Sequence, residues 1–229
     1  MLLAIDTATA LTGLALYGPQ GPLAESIWES GRNHTAQLLP QIDTLVRYVG
    51  ALPGDITVLA VSLGPGSWSG LRVGLSLAKG MALAGDLPLI GISTLEALAY
   101  QYAPTPLLVY PLIRLGRERY ATAPFAAHER LERLAPDRNL TLSELCAEVD
   151  KPAFFCGDLD PATVAGLQRG LGERAVLPSP AARLRRPAFL AELAWQRHIA
   201  QRYDDLATLE PIYLGEPVRP QVGSTRGEQ

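Results

Sequence analysis

The chain is short of the residue types from which most catalytic and metal centres are built. Its 229 residues include only two cysteines and three histidines. Cys146 and Cys156 stand ten apart, outside C-x-x-C spacing and away from paired histidines. That excludes a disulfide framework and a zinc motif, and it predicts idle thiols in a reducing compartment. His34, His128 and His198 are never three or four apart, so no helix presents a paired metal site. Of the 20 basic residues only Lys79 and Lys151 are lysines, and 23 acidic residues leave a net charge of −3. A broad basic face for nucleic acid is thereby excluded, and any RNA contact is expected to be local or made by a partner. No run approaches the roughly 18 apolar residues of a membrane span. The apolar opening M-L-L-A-I-D lacks a basic leader region and is interrupted by Asp6, so a soluble, cytoplasmic protein is expected.

What is present is pattern. Apolar residues make up 48% and charged residues 19%, a globular balance that excludes a disordered chain. Residues 2–5 and 14–17 read as strands separated by the loop D-T-A-T, with a Gly/Pro turn at 18–22 and a third strand at 26–29. Apolar positions 38, 39, 42, 45, 46 and 49 follow helical spacing up to Gly50, with Pro40 marking a start or a bend. Residues 56–63 form an unbroken apolar run, as in a strand buried on both faces, and lead into G-P-G-S-W-S-G and a helix reaching residue 84. A strand at 87–92 and a helix opened by S-T-L-E at 93–96 complete this half. The second half repeats the order, with strands at 107–113, 120–125, 130–134 and 153–156 and helices at 142–149, 161–171 and 187–201. The expected architecture is α/β and duplicated: a lobe over 1–103, a lobe over 104–214, and a polar Pro/Gly tail at 215–229 expected to be disordered.

Three features bear on chemistry. The loop of Asp6, Thr7, Ala8 and Thr9 offers a carboxylate and hydroxyls suited to a metal-bound phosphate, although Asp and Thr are also ordinary turn residues. The stretch from Gly64 to Gly74 joins a strand to a helix, where amides can hold an anion. It has no G-x-x-x-x-G-K-[ST] pattern, and Trp68 stands where a nucleophile elbow needs serine, which favours a tight turn built for close packing. Between residues 70 and 84 the only polar side chains are Arg72, Ser76 and Lys79, on one narrow stripe. A helix so apolar is expected to be buried all round, and its small-residue line of Gly70, Gly74 and Ala78 to admit another helix. Arginines at 114, 117 and 119 and at 183, 185 and 186 read as solvated surface.

Five ordered segments carry a resemblance: M-L-L-A-I-D-T-A-T, H-T-A-Q-L-L-P, S-L-G-P-G-S-W-S-G-L-R-V-G-L-S-L-A-K-G, G-I-S-T-L-E-A-L-A and, near the end, P-I-Y-L. With these the chain resembles the TsaB (YeaZ) family, a bacterial subunit of tRNA threonylcarbamoyladenosine biosynthesis. The specific matches cover about the first hundred residues and L-E-P-I-Y-L at 209–214. Where the family has a D-A-R-R-G-E-like turn, residues 113–118 read I-R-L-G-R-E, so a role tied to that aspartate does not carry over.

The resemblance implies an actin-like/Hsp70-like ATPase (ASKHA) fold of two duplicated lobes, with mixed sheets flanked by helices. It implies a non-catalytic, cofactor-free and metal-free partner of TsaD, the paralogue that transfers threonylcarbamoyl to the adenosine beside the anticodon of ANN-reading tRNAs. The H-x-x-x-H metal pair of TsaD-like proteins is missing from this sequence. A TsaE-type ATPase and tRNA are implied as contacts through the complex only, TsaC as the maker of threonylcarbamoyl-AMP, and a homodimer as the state of the chain alone. The helices near 35–49 and 70–84 are expected to meet their counterparts on TsaD, through Leu38, Ile42 and Leu45 and through Arg72, Leu75 and Lys79. Asp6, Thr7 and Thr9 are expected to form a vestigial phosphate loop. The alternatives are an actin-like-fold small-molecule kinase, which needs a phosphate loop in both lobes, and a glycopeptidase-like peptidase, which needs a metal or a nucleophile with its base.

Overall fold

The opening run L-L-A-I-D forms β1 (Leu2–Asp6), buried along its whole length as an apolar strand flanked by two others must be. β2 (Leu11–Gly18) and β3 (Gly21–Glu29) continue from it as an antiparallel meander. α1 (His34–Tyr48), β4 (Val58–Gly64), α2 (Trp68–Gly85), β5 (Leu89–Ser93) and α3 (Thr94–Tyr100) follow. β4 and β5 add in parallel to β1, giving the order β3-β2-β1-β4-β5. The structure, a computed structural model, describes residues 1–31, 33–116 and 118–214, and of His34 the backbone alone. The tail expected at 215–229 lies outside the described residues, as does Arg117 of the altered turn.

The second half builds the same sheet again from β6 (Thr105–Gly116), β7 (Arg119–Thr122), β8 (Phe125–Ala127), β9 (Leu131–Arg133), β10 (Arg138–Thr141), α4 (Leu142–Glu148), β11 (Ala153–Gly157), α5 (Pro161–Leu171), β12 (Ala175–Val176) and α6 (Pro187–Ile199). Its order, β10-β7-β6-β11-β12, matches the first sheet strand for strand, with β7 antiparallel and β11 parallel to the central β6. The short β8 and β9 hang on β6 as an added hairpin. β10, which the sequence pattern does not mark, is a four-residue strand leading into a capping box. There the Glu144 amide donates to Thr141 Oγ1 at 3.2 Å and the Thr141 amide to Glu144 Oε2 at 2.7 Å, which holds the Glu144 carboxyl below its ordinary range. The pattern at Ser93 is only half of such a box, because Glu96 turns to Arg197 instead.

Helix placement departs from the sequence reading in two ways. α1 and α2 share one face of the first sheet, and their apolar rows point into it: Leu38, Ile42, Leu45 and Val46 from α1 and Leu75, Ala78 and Ala82 from α2 are core. Leu38, Ile42, Leu45 and Leu75, expected to face outward, are therefore buried within this chain. The spacing that makes a helix amphipathic aims its apolar stripe at the sheet first. α1 runs through Pro40, whose missing amide would have bonded a carbonyl at the exposed start of the helix.

The last helices are exchanged between the lobes. α3 buries Leu95, Leu98 and Ala99 among the second sheet's Val109, Ile113 and Phe125. α6 returns to the far face of the first sheet with Leu190, Ala191 and Ala194. Leu206 and Leu209 then join the first lobe's core. The two sheets part between β5 and β6, whereas the helical layers do not part there, since α6, Leu206 and Leu209 pack on the first lobe.

Two tests follow from packing. On α2, a Cβ at Gly70 would lie 2.2 Å from the Thr7 carbonyl oxygen, whereas a Cβ at Gly80 meets nothing within 4 Å. Gly70→Ala is expected to lower urea-unfolding stability by about 1–3 kcal/mol. Gly80→Ala is expected to raise it by roughly 0.5–1 kcal/mol, and equal effects would refute the close approach. The second concerns the thiols. Cys156 is fully buried and burial pushes its thiol well up, while Cys146 is half-buried and raised by the same cause against the pull of Arg174. Because the thiolate is the reactive form, a disulfide reagent at pH 8 is expected to label Cys146 slowly and Cys156 only on unfolding, as read by peptide mass mapping.

Candidate functional site

The loop after β1 is held by the helix that follows β4. Thr7 Oγ1 donates to the Gly70 carbonyl at 2.8 Å, the Thr7 amide to Ser62 Oγ at 3.3 Å, and the Ser67 amide to the Ala8 carbonyl at 2.6 Å. Any Cβ at Gly66, Gly70 or Gly74 would stand 2.2 Å from Ala8 O, Thr7 O or Thr7 Oγ1 respectively. The glycines of the 64–74 stretch are thus spaced to receive this loop. The Gly70–Gly74 line, expected to admit another helix, faces the loop instead. An amide before the first turn of α2, the type of donor that binds anions, is engaged by a carbonyl of the chain itself.

Asp6 is fully used. Its Oδ1 accepts from the Ala8 amide at 3.1 Å and its Oδ2 from Arg185 Nε at 2.6 Å, with Asp6 4% and Arg185 8% exposed. Arg185 Nη2 also donates to Thr9 Oγ1 at 3.1 Å and to the Leu11 carbonyl at 3.3 Å. In the other lobe Asp158, just after β11, accepts from the Arg114 amide at 2.8 Å. Burial raises the Asp158 carboxyl above its usual range, opposed by that hydrogen bond and by the charges of Arg185 and Arg114. The Arg114 side chain itself pairs with Asp160, the N-cap of α5. Arg185, read as solvated, is buried. Its partner lies 179 positions away, beyond any local pattern.

A second feature is the outer face of the α1–α2 layer. Trp68, Arg72, Ser76, Lys79 and Leu83 fall on one stripe of α2, with Trp68 55% and Leu83 73% exposed, Arg72 and Ser76 exposed and Lys79 half-buried. Leu39 adds an exposed apolar group from α1. α2 is thus not buried all round within this chain. Of the six expected partner residues, Arg72 and Lys79 lie on this outer face. Extending the polar stripe by one helical turn in each direction reaches Trp68 and Leu83.

The face is ordered from behind by the segment after α6. Arg72 stacks 3.6 Å over the Trp68 ring, and its Nε donates to the Tyr213 hydroxyl at 3.1 Å. The Ile212 amide donates to the Leu63 carbonyl at 2.7 Å, and Asn139 Nδ2 to the Leu214 carbonyl at 2.7 Å. Residues 212–214 thereby strap the end of β4 to β10 of the other lobe.

Other candidates assemble no chemistry. His128 is exposed, and His198 Nδ1 lies 2.9 Å from the Tyr203 hydroxyl beside the Trp195 ring. Among the described residues no three His, Cys, Asp or Glu are placed to hold a metal, and no helix is long and apolar enough to cross a membrane. An open cavity of about 510 Å³ lies between α4, α5 and the β6–β7 turn, lined by Arg114, Tyr120, Cys146, Thr163 and Arg169. Its Tyr120 hydroxyl and Thr163 Oγ1 are bonded to each other at 2.7 Å.

Comparison with known proteins agrees with this geometry. The family model of TsaD, tRNA N6-adenosine threonylcarbamoyltransferase, matches residues 28–134. YeaZ from Pseudomonas aeruginosa superposes with a TM-score of 0.77 at 21% identity, over 93% of this chain and 99% of that one, and the fold is the actin-like α/β fold of two duplicated lobes. The tRNA threonylcarbamoyladenosine biosynthesis protein TsaB of Escherichia coli (strain K12) is 40% identical over 98 residues, 43% of this chain and 42% of its own length. TsaB of Bacillus subtilis (strain 168) is 30% identical over 217 residues, 93% of each chain, and at that identity and span the chain belongs to the TsaB family.

Proposed function

We propose that this chain is a non-catalytic scaffold subunit in tRNA threonylcarbamoyladenosine biosynthesis. In this reading it binds a TsaD-type paralogue and supports that partner's transfer of threonylcarbamoyl to the adenosine beside the anticodon of ANN-reading tRNAs. The observation that carries it is the outer face of α1 and α2. Trp68, Arg72 and Tyr213 are the residue types that dominate interface energies, and here they are already stacked and hydrogen-bonded in one cluster. Leu83 and Leu39 extend the cluster with apolar area. The TsaD family model covers 28–134, the stretch that contains both helices, so a paralogue offers a similar helix pair for a pseudo-symmetric contact.

The scaffold role agrees with a loop whose polar groups are engaged within the chain. A kinase reading needs Asp6 and the amides beside it turned toward a nucleotide, and they are turned inward. In the cytoplasm the chain meets a TsaE-type ATPase and tRNA only through the complex. Alone it pairs with itself by the same face, so homodimer and heterodimer compete.

Fully burying one leucine contributes roughly 1.5–3 kcal/mol, so a single inward charge there weakens binding by about tenfold or more. Leu83→Asp and Trp68→Ala are expected to weaken both the heterodimer with a TsaD-type partner and the homodimer, as weighed by light scattering. Circular dichroism should stay that of the wild type. A wild-type chain that forms no 1:1 species with the partner, or a Leu83→Asp heterodimer of full strength, overturns the reading. Leu75→Asp, by contrast, probes the core and is expected to unfold the chain.

A further inference from the structure

We infer that Arg185 is a resident occupant of the loop between β1 and β2, placing a cation of the chain's own where an ATPase of this fold would hold a metal–nucleotide complex. The residues present do not fit such a complex. A phosphate loop needs amides and hydroxyls free to face an anion. Here the amides of Thr7 and Ala8 go to Ser62 Oγ and Asp6 Oδ1, and Thr7 Oγ1 to the Gly70 carbonyl. A metal-binding aspartate needs a carboxylate oxygen open to the ion, and the two oxygens of Asp6 accept from Ala8 and Arg185.

What converges on the guanidinium is a carboxylate oxygen (Asp6 Oδ2), a hydroxyl oxygen (Thr9 Oγ1) and a carbonyl oxygen (Leu11 O), at 2.6, 3.1 and 3.3 Å. These are the ligand types of a hard divalent cation. The Arg185 charge also acts on the Asp158 carboxyl of the other lobe, opposing the upward push of burial. Arg185 reaches this position because it immediately precedes α6, the helix that returns from the second half to the first sheet. The lobes are therefore fastened by an ion pair that needs no nucleotide, and α2 is held in one place through the loop on which Arg185 sits.

The test needs no partner protein, so its outcome is separate from that of the scaffold reading. Wild type, Asp6→Asn, Arg185→Gln and the double variant are compared by thermal melting with and without millimolar Mn2+, and by calorimetric titration with Mg–ADP. Removing one partner of a buried pair strands the other charge, whereas removing both leaves a neutral site. The double variant is thus expected to melt well above the value obtained by adding the two single losses. Arg185→Gln is expected to gain a Mn2+-dependent rise in melting temperature that wild type and the double variant lack. Wild type is expected to show no saturable Mg–ADP binding. Strictly additive losses, a Mn2+ shift as large in wild type, or Mg–ADP binding that Asp6→Asn removes would each overturn the inference. If Arg185→Gln fails to fold, Arg185→Met replaces it, and a Mn2+ response in wild type as large as that of Arg185→Met overturns it likewise.

Discussion

The position of α2 depends on one close approach. The loop leaving β1 lies against α2 and the turn before it at separations that only glycine permits, at Gly66, Gly70 and Gly74. A loop pressed this tightly against a helix must satisfy its own polar groups, because water is excluded from the contact. Thr7 and Ala8 do so by bonding to α2 and the turn before it, and Asp6 by bonding to Arg185. A buried ion pair adds little net stability compared with an apolar substitute, but breaking one partner is strongly destabilising. The pair therefore acts chiefly on geometry. It couples the strand end, the segment leading into α6 and α2 into one unit.

The exchange of α3 and α6 gives that unit its reach. Each sheet is closed on one face by two helices of its own half, α1 with α2 and α4 with α5. α6 covers the other face of the first sheet, and α3 packs on the second. Neither sheet can bury both faces without the other half of the chain. Duplication here yields two interlocked layers rather than two separable domains. The segment 212–214 adds a further tie between β4 and β10. Of the arginine side chains grouped at 114–119 and 183–186, Arg185 and Arg186 tie the halves through Asp6 and Glu25, whereas Arg119 holds Asn139 within the second sheet.

Much of this could be read from the residues. Apolar runs locate β1 and β4, Pro161 and Pro187 mark the starts of α5 and α6, and the repeated strand order anticipates the duplicated sheets. Such features are local, and local periodicity reports them. The orientation of helix faces was harder. An apolar stripe at 38, 42 and 45 looks the same whether a sheet or a partner covers it, and the sheet of the same chain has first claim. The exchange of α6 between lobes, the Asp6–Arg185 pair and the Arg72–Tyr213 bond were invisible for a different reason. Each joins positions far apart in the chain, through side chains that are common on any surface. β10 escaped because four residues with a polar alternation carry almost no periodic signal.

The scarcity of catalytic residue types and the composition of the outer face belong together. In an enzyme of this architecture the cleft must stay open to ligand, and its polar groups must remain unsatisfied until the ligand arrives. Here the polar groups of the loop between β1 and β2 are satisfied within the chain. For the proposed docking this order matters, because side chains that are already ordered lose little freedom on binding. The Arg72 guanidinium is fixed between the Trp68 ring and the Tyr213 hydroxyl, and Tyr213 is itself carried by the strap between the lobes. The interactions that anchor the β1–β2 loop and those that order the outer face act on the same helix, α2. A change at Arg185 or Asp6 therefore reaches the outer face of α2 through the loop and the helix backbone, although neither side chain lies on that face.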